Sequence, residues 1–417
     1  MTPTIVQNVF LFFLTISVLL KFYLSFRQTN IVKKHRNAVP DEFATTITLP
    51  EHQKAADYTC AKHNLSRVDI IIETALLLIF TLGGGLDYLS EISQKISAKP
   101  LTQGVILILL FTIVTFICNL PSSIYRTFYQ EARFGFNNTT PAIFITDNIK
   151  AAILLLIIGV PLLYAVLSLM AVMGELWWFY VWCLWLAFSL TMLWVYPKWI
   201  APIFNKFTPL EDEILKQRIN ALLQRTGFKS NGLFIMDGSK RSGHGNAYFT
   251  GLGKNKRIVF FDTLIKNLSH EETEAVLAHE LGHFHHHHIM IQITLNFALG
   301  LFWLWLLGKI LPQTAFYNGL GVENISHAMA LLLFSLVLPV LLFIFTPISS
   351  ILSRRNEYQA DEFAAKHSNA QNLINALIKL YRDNAGTLVC DKLYSLFYDS
   401  HPNANDRINA LKKQINK

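Results

Sequence analysis

The chain has 417 residues, of which 52% are hydrophobic and only 15% are charged, and its formal net charge at pH 7 is +8. A soluble globular protein carries about 25% charged residues, so this composition excludes an ordinary soluble chain of the same length. The basic residues do not gather into one patch along the sequence, and we therefore expect no nucleic-acid partner. The 4 cysteines show no short metal or redox spacing, which predicts free thiols.

Seven apolar segments are long enough to cross a bilayer as helices, which requires about 20 residues each. They lie near residues 5–26, 68–89, 104–125, 151–173, 176–197, 289–311 and 328–351. The second is the weakest of these predictions, because Asp69 and Glu73 occur in its first turns and three glycines occur near its end. We therefore predict a mainly α, multi-pass membrane protein with seven transmembrane helices and the lipid bilayer as its surroundings.

The distribution of Lys and Arg predicts the orientation of these spans, because cytoplasmic loops of membrane proteins are enriched in both residues. If residues 1–4 lie outside, the segments 27–67, 126–150, 198–288 and 352–417 lie inside and carry 32 of the 36 Lys and Arg residues. We expect the N-terminus outside and the C-terminus in the cytoplasm. This arrangement also accounts for the positive net charge.

The largest inside segment, residues 198–288, has the pattern of a small α+β unit. Thr208 and Glu211 are spaced as a capping box with Pro209 at the first helical position, which predicts a helix that ends before Gly227. Three short strand-like runs follow, at residues 232–237, 246–251 and 257–262, with glycines as turn residues between them.

A second capping box, at residues 269–272, opens a helix that contains His279, Glu280 and His283. Histidines four residues apart lie on one helix face and can bind one zinc ion, while the adjacent Glu280 can act as the general base that activates water. His286 is about 10 Å along the helix from His279, which is too far for both to bind the same ion. A hydrolytic zinc site therefore needs its third protein ligand from another element.

Glu357 is the candidate for that third ligand, because it directly follows the seventh span on the same side of the membrane as His279. Asp361 lies one helical turn further on and is placed to accept a hydrogen bond from the far nitrogen of a ligand histidine. We expect one zinc ion per chain. The histidines at 285–288 are expected to face water or the membrane interface, with a weak accessory metal site as the alternative.

These observations divide the chain into four parts. Residues 1–200 form an N-terminal membrane region with five spans and cytoplasmic loops, and residues 201–288 form a cytoplasmic α+β catalytic unit with the zinc helix. Residues 289–352 contain the sixth and seventh spans, and residues 353–417 form a C-terminal cytoplasmic part with the third zinc ligand.

Several ordered motifs resemble the type I CaaX prenyl endopeptidases, which are integral-membrane zinc proteases. The motifs occur at residues 35–40, 52–59, 245–251, 254–264, 279–288 and 356–364, and at His401-Pro402. The resemblance implies helices around a water-filled chamber inside the membrane, with zinc at its cytoplasmic end. It also implies a peptide or protein substrate, prenylated and cleaved near its C-terminus.

A substrate site is predicted at the strand-like run that contains Asn246, Ala247 and Tyr248, because an extended peptide can add to such an edge as a further strand. The oxyanion that develops on the scissile carbonyl is best shared between zinc and a nearby donor. His401 and Arg407, in the late inside segment, are the expected donors, an assignment that the resemblance at His401-Pro402 supports.

Two alternatives to this function remain open at the level of sequence. A zinc transporter would also have many spans and a histidine-rich stretch, but it would place its ligands in the middle of several spans. A broad quality-control protease of membrane proteins is the alternative within the enzyme class. The short stretch before Glu357 and the absence of a dilysine signal favour a bacterial inner-membrane protein over one of the endoplasmic reticulum. Most bacteria are not expected to make prenylated proteins.

Overall fold

The computed structural model describes residues 2–250 and 257–415, and within them six helical stretches are long and apolar enough to cross a membrane. They are Pro3–Lys34, Pro100–Glu131, Pro141–Val172, Gly174–Phe204, His288–Ile310 and His327–His367. Each contains one of the predicted apolar segments to within one residue at the ends of that segment. The prediction of a mainly α, multi-pass membrane protein is confirmed.

The remaining predicted span, near 68–89, is not one straight helix. Helices Leu49–Phe80 (α2) and Gly85–Ile96 (α3) are bent by 59° at the break between them, the geometry of a broken span or of a re-entrant loop. Gly84 adopts φ +72° there, a left-handed conformation that glycine reaches at little cost. Asp69 accepts hydrogen bonds from Ser122 and from Arg126, so its charge is paired with groups from another span.

Short π-helical turns interrupt the membrane helices near prolines. The other helices of this region are α1 Pro3–Lys34, α4 Pro100–Ile124, α5 Pro141–Leu154, α6 Val160–Val172, α7 Trp177–Val195 and α8 Ala201–Phe204. The π turns are Tyr125–Glu131, Leu155–Gly159 and Tyr196–Ile200. Pro121, Pro161 and Pro197 lie in or next to them, and because proline has no N–H the regular helical bonding is interrupted at these points.

A four-stranded sheet follows the fifth apolar segment. Its elements are β1 Phe207–Pro209, α9 Glu213–Thr226, β2 Leu233–Met236, β3 Ala247–Thr250, β4 Arg257–Phe261, α10 Asp262–Asn267 and α11 His270–His285. The strand order is β1-β2-β4-β3, with β2 parallel to β4 and the other pairs antiparallel. The three predicted strands are present, although Gly251 at the end of the second lies outside the described residues. Strand β3 occupies one edge of the sheet.

The helix start predicted at Thr208 and Glu211 is wrong. Residues 207–209 instead form β1, and the Leu210 N–H continues the ladder by donating to the Leu233 carbonyl at 3.0 Å. Leu210 is also buried in the core, so strand pairing and burial outweigh the local capping pattern. The helix begins at Glu213, after Asp212 accepts the Leu215 N–H at 2.9 Å. The predicted helix end is confirmed, since Gly227 adopts φ +72°.

Helices from the last part of the chain pack into the same hydrophobic core as the sheet and α9. Its helices are α12 His288–Ile310, α13 Thr314–Gly319, α14 His327–Leu342, α15 Thr346–His367, α16 Ala370–Asp383, α17 Lys392–Tyr398 and α18 Ala404–Ile415. Leu215, Phe260, Leu281, Leu373 and Ile408 belong to one buried cluster that joins α9, β4, α11, α16 and α18. The described residues of the segments 201–288 and 353–417 therefore fold as one packed unit, separate from a second apolar core among the spans.

Close packing of α15 on α11 positions the site. A Cβ atom added at Gly282 would lie 2.8 Å from the Ala360 Cα atom and 3.0 Å from the Ala360 oxygen. No side chain fits in that space without moving one helix. Glycine at this position lets the two helices approach closely enough for side chains on both to meet at one point.

Candidate active site

Three side chains from α11 and α15 converge on one point. His279 and His283 lie one turn apart on α11, as the capping box at Ser269 and the four-residue spacing predict, and Glu357 reaches them from α15. The two histidine Nε2 atoms are 3.3 Å apart, and Glu357 oxygens lie 3.5 Å from His279 Nε2 and 3.3 Å from His283 Nε2. One ligand atom from each residue lies within 4.8 Å of the others, an arrangement that can hold a metal ion.

The outer nitrogens of both histidines are occupied by neighbours. His279 Nδ1 is 2.8 Å from Asp361 Oδ1, so the proton belongs on Nδ1 and the lone pair on Nε2. His283 Nδ1 is 3.1 Å from His288 Nδ1, and His288 Nε2 is 2.8 Å from Gln359 Oε1. If His288 donates to Gln359, it accepts from His283, which again leaves the Nε2 lone pair free. Two neutral imidazoles and a carboxylate facing one point suit zinc in number and type.

The expectation that the whole run 285–288 faces water or the interface is wrong for His288. His288 is buried, with 8% of its surface exposed, and it contacts His283. The reason is the tight turn between α11 and α12, where His287 adopts φ +57° and the chain folds back. The spacing of a continuous helix gives no signal for this contact. His285 and His287 are exposed, as expected.

Arg407 is buried beneath the site, and its guanidinium forms a bidentate ion pair with the Asp361 carboxylate. Its Nη2 atom is 2.6 Å from Asp361 Oδ1 and its Nε atom 2.9 Å from Asp361 Oδ2. Its Nη1 atom lies 3.5 Å from Glu357 Oε2. Burial alone would lower the pKa of Arg407, but the Asp361 carboxylate outweighs burial and holds this pKa above its ordinary value. Arg407 is therefore a fixed cation at the edge of the site.

His401 approaches the Glu357 carboxylate from the solvent side. Its Nδ1 atom is 2.7 Å from Glu357 Oε2, while 61% of its side chain is exposed. An exposed imidazole at this position can swing towards a bound ligand without loss of packing. The structure thus brings His401, Arg407 and the three candidate metal ligands to one place.

A cavity of about 400 Å³ opens beside these groups and reaches the sheet edge. Glu280, His279, Asn246 and Ala247 all line this cavity, which we call the active-site cavity. The Tyr248 side chain is not among its lining residues and approaches Met236 instead. The backbone register places Ala247 opposite Phe260, and the Phe261 N–H donates to the Asn246 carbonyl at 2.9 Å. The backbone groups of Ala247 therefore point away from β4, towards the open edge.

Asn384 is a residue of this region that sequence reasoning missed. Its Oδ1 atom accepts the Gly245 N–H at 3.1 Å, which ties the chain leading into β3 to the end of α16. Asn384 also lines the active-site cavity. It belongs to no motif, and no local pattern could have linked it to Gly245, which precedes it by 139 residues.

Comparison with known proteins gives consistent matches over the whole chain. Residues 28–206 match the family described as CAAX prenyl protease N-terminal, five membrane helices, and residues 209–415 match peptidase family M48. CAAX prenyl protease 1 homolog of Dictyostelium discoideum is 33% identical and covers 94% of both chains. CAAX prenyl protease 1 of Saccharomyces cerevisiae is 33% identical over 93% of this chain and 91% of the relative. The crystal structure of S. mikatae Ste24p has a TM-score of 0.90 at 32% identity, over 97% of this chain and 98% of that chain.

The membrane helices, the packed unit with its His and Glu cluster, and these matches together define a membrane metalloendopeptidase. The chain belongs to the CAAX prenyl protease family, peptidase family M48. The resemblance inferred from the sequence motifs is thereby confirmed. The zinc transporter and the broad quality-control protease are not favoured.

Proposed function

We propose that this protein is a zinc endopeptidase that cleaves prenylated substrates near their C-terminus. The observation that carries the proposal is the convergence of His279, His283 and Glu357 beside Glu280, in a cavity that meets an open strand edge. Relatives that match over more than nine-tenths of the chain are named CAAX prenyl protease 1, which supports this class of substrate.

In the proposed reaction, His279, His283 and Glu357 would hold one zinc ion per chain, which would supply Lewis-acid chemistry at the attacking water. Glu280 accepts the proton of the attacking water and later delivers it to the leaving amine. Asp361 and His288 hold the two imidazoles in the required tautomer and orientation. In this proposal, His401 and the Nη1 atom of Arg407 donate to the oxyanion of the scissile carbonyl.

The substrate backbone adds as a further strand at β3 in this proposal. Ala247 presents its N–H and C=O to the open edge, where its N–H donates to the Oδ1 atom of Asn246 at 2.8 Å. In this proposal Tyr248 supports the strand through its backbone pairing with Val259, and its side chain does not contact the substrate. Because an edge strand binds main-chain groups, this mode tolerates varied side chains in the substrate.

The orientation of the chain in the membrane is proposed from the positions of its Lys and Arg residues. We propose an N-terminus outside and a C-terminus in the cytoplasm, since 32 of the 36 Lys and Arg residues then lie inside. We also propose the division of the chain into four parts, with boundaries after residues 200, 288 and 352. The second and fourth parts pack together. The assignment to a bacterial inner membrane, with the endoplasmic reticulum as the alternative, stays a prediction.

The test is cleavage of two peptides of one sequence, one farnesylated and one not, by the purified protein with and without a chelator. We expect the farnesylated peptide to be cleaved at the higher kcat/KM, and we expect cleavage by the wild type to stop when zinc is removed. Equal cleavage of both peptides would favour a broad quality-control protease instead. Zinc uptake into sealed vesicles without any cleavage would contradict the proposal.

A further inference from the structure

A second cavity, of about 350 Å³, lies next to the active-site cavity on the side of the membrane helices. The two share four wall residues, namely Tyr381, Asn384, Gly386 and His401. We call this second space the C-terminal pocket. Since His401 also contacts Glu357 at 2.7 Å, a peptide that passes the candidate metal ligands can continue directly into this pocket.

Strand polarity decides which half of a substrate would enter the pocket. Antiparallel pairing is the more common and the more stable choice for an added strand. Strand β3 starts at Ala247, and the preceding Gly245 donates to Asn384 at the mouth of the C-terminal pocket. A peptide antiparallel to β3 therefore has its C-terminal half at this end, so the residues released by cleavage point into the pocket.

The chemistry of the pocket suits a short chain end with a negative charge. Tyr58, Tyr394 and Tyr398 supply aromatic walls on which aliphatic side chains can pack. In the part of the chain that the structure describes, Lys62 is the one Lys or Arg that lines it, and its Nζ atom lies 5.2 Å from the centre of the Tyr58 ring. Among the described residues, no carboxylate lies within 4.0 Å of that ammonium. The acid of the same wall, Asp399, is already engaged, since the Cys390 thiol donates to it at 3.1 Å.

We propose that the C-terminal pocket binds the released end of the substrate and that Lys62 pairs with its free C-terminal carboxylate. The inference rests on the proposed function, because only cleavage close to a C-terminus brings that carboxylate within a few residues of the metal site. Extended residues advance about 3.3 Å each, so a short released end spans the step from His401 into the pocket. Lys62 is thus a specificity-determining residue that selects cleavage near a chain end.

The test compares two prenylated peptides of one sequence, one with a free C-terminal carboxylate and one with a C-terminal amide. The zinc-loaded full chain should cleave the free acid with a kcat/KM about 5-fold higher, which is the scale of a partly solvated ion pair. Lys62→Gln should lose this preference through a higher KM for the acid, so that acid and amide are cleaved with similar kcat/KM. Lys62→Glu should reverse the preference and cleave the amide better.

Lys54→Gln is the matched control, because Lys54 lies on the same helix and also sits over an aromatic ring, that of Phe136 at 4.8 Å, but it does not line the pocket. It should keep the wild-type preference. Equal cleavage of acid and amide by the wild type would overturn the role of Lys62 and leave the proposed function standing, as would equal losses on both peptides in Lys62→Gln. Cleavage of neither peptide would overturn the proposed function itself.

Discussion

Glu357 and Asp361 lie one turn apart on α15 and contact opposite nitrogens of the same imidazole. Glu357 Oε2 is 3.5 Å from His279 Nε2, while Asp361 Oδ1 is 2.8 Å from His279 Nδ1. Two carboxylates on the same helix face thus have different tasks, because one contacts Nε2 of the ring and the other contacts Nδ1. This pairing can be read from the spacing in the sequence, because residues four apart share a helix face.

Replacing Glu357 by Ala should remove one of three metal ligands, so elemental analysis should show less than one zinc per chain. Asp361→Asn keeps the shape of the side chain but weakens its hold on His279, and zinc affinity or activity should fall by about 10–100-fold. Full zinc occupancy in Glu357→Ala would show that another residue is the third ligand.

Glu280→Gln should separate binding from chemistry. The amide keeps the size of the side chain but cannot accept the proton of water, so zinc content should stay at the wild-type level while kcat falls by about 10²–10⁴-fold. Steady-state cleavage and elemental analysis on the same preparation check both halves of this prediction. Wild-type turnover in the variant would refute the general-base assignment.

His288 should matter although it is not an expected ligand. Without it, the Nδ1 atom of His283 loses its neighbour at 3.1 Å, and the ring is free to turn or to change tautomer. We expect His288→Ala to lower zinc affinity by about 10–100-fold, measured by chelator competition. His287→Ala, at an exposed position next to it, is the matched control and should bind zinc as the wild type does. Equal affinity in the two variants would contradict the contact.

His401→Ala should keep its zinc and lose turnover by about 10²–10³-fold, which is the cost of one oxyanion donor. Arg407 is a less direct test, because its removal also leaves the buried Asp361 carboxylate without its cation, which destabilises the fold by about 3–5 kcal/mol. Parent-rate cleavage by His401→Ala would leave zinc and Arg407 as the candidate oxyanion partners.

At the scale of elements, the contact between α11 and α15 sets the geometry of the site. In Gly282→Ala the new methyl group would stand 2.8 Å from the Ala360 Cα atom and would push the helices apart. We expect the free energy of unfolding to fall by about 1–3 kcal/mol, with weaker zinc binding because Glu357 moves away from α11. Gly243→Ala, whose new atom would meet its nearest neighbour only at 3.7 Å, is the control for thermal unfolding. Identical melting of both variants would contradict this account.

The elements that sequence predicts well are those with a strong local pattern. Six apolar runs, three strands and the zinc-motif helix lie where periodicity and the Ser269 capping box place them. The predictions fail where tertiary contacts compete with local signals. Thr208 and Glu211 have the spacing of a helix start, yet pairing with β2 makes residues 207–209 a strand. His288 and Asn384 were missed because each reaches the site through a turn or a contact distant in sequence.

At the scale of the whole molecule, the two largest hydrophobic cores of the described residues are joined by helices and by polar contacts. One core lies among the spans and the other in the unit that carries the candidate site. A helical run from His327 to His367 passes from the first core into the second. Arg27, on α1, also reaches the second unit, where its guanidinium donates two hydrogen bonds to Asp391 Oδ2, at 2.9 and 3.1 Å. The site therefore sits at the junction of the membrane part and the packed unit.

The position of the three candidate ligands along the chain has a mechanical consequence. His279 and His283 precede α12, and Glu357 follows α14, so a metal bound by all three closes a loop that contains the last two spans. Such a closure restricts the unfolded chain much as a disulfide does, and it also limits how far these spans can separate in the native protein. In this protein the catalytic ion would also act as a cross-link. Metal binding would then both complete the active site and fix the near ends of the last two spans to the unit that carries the site.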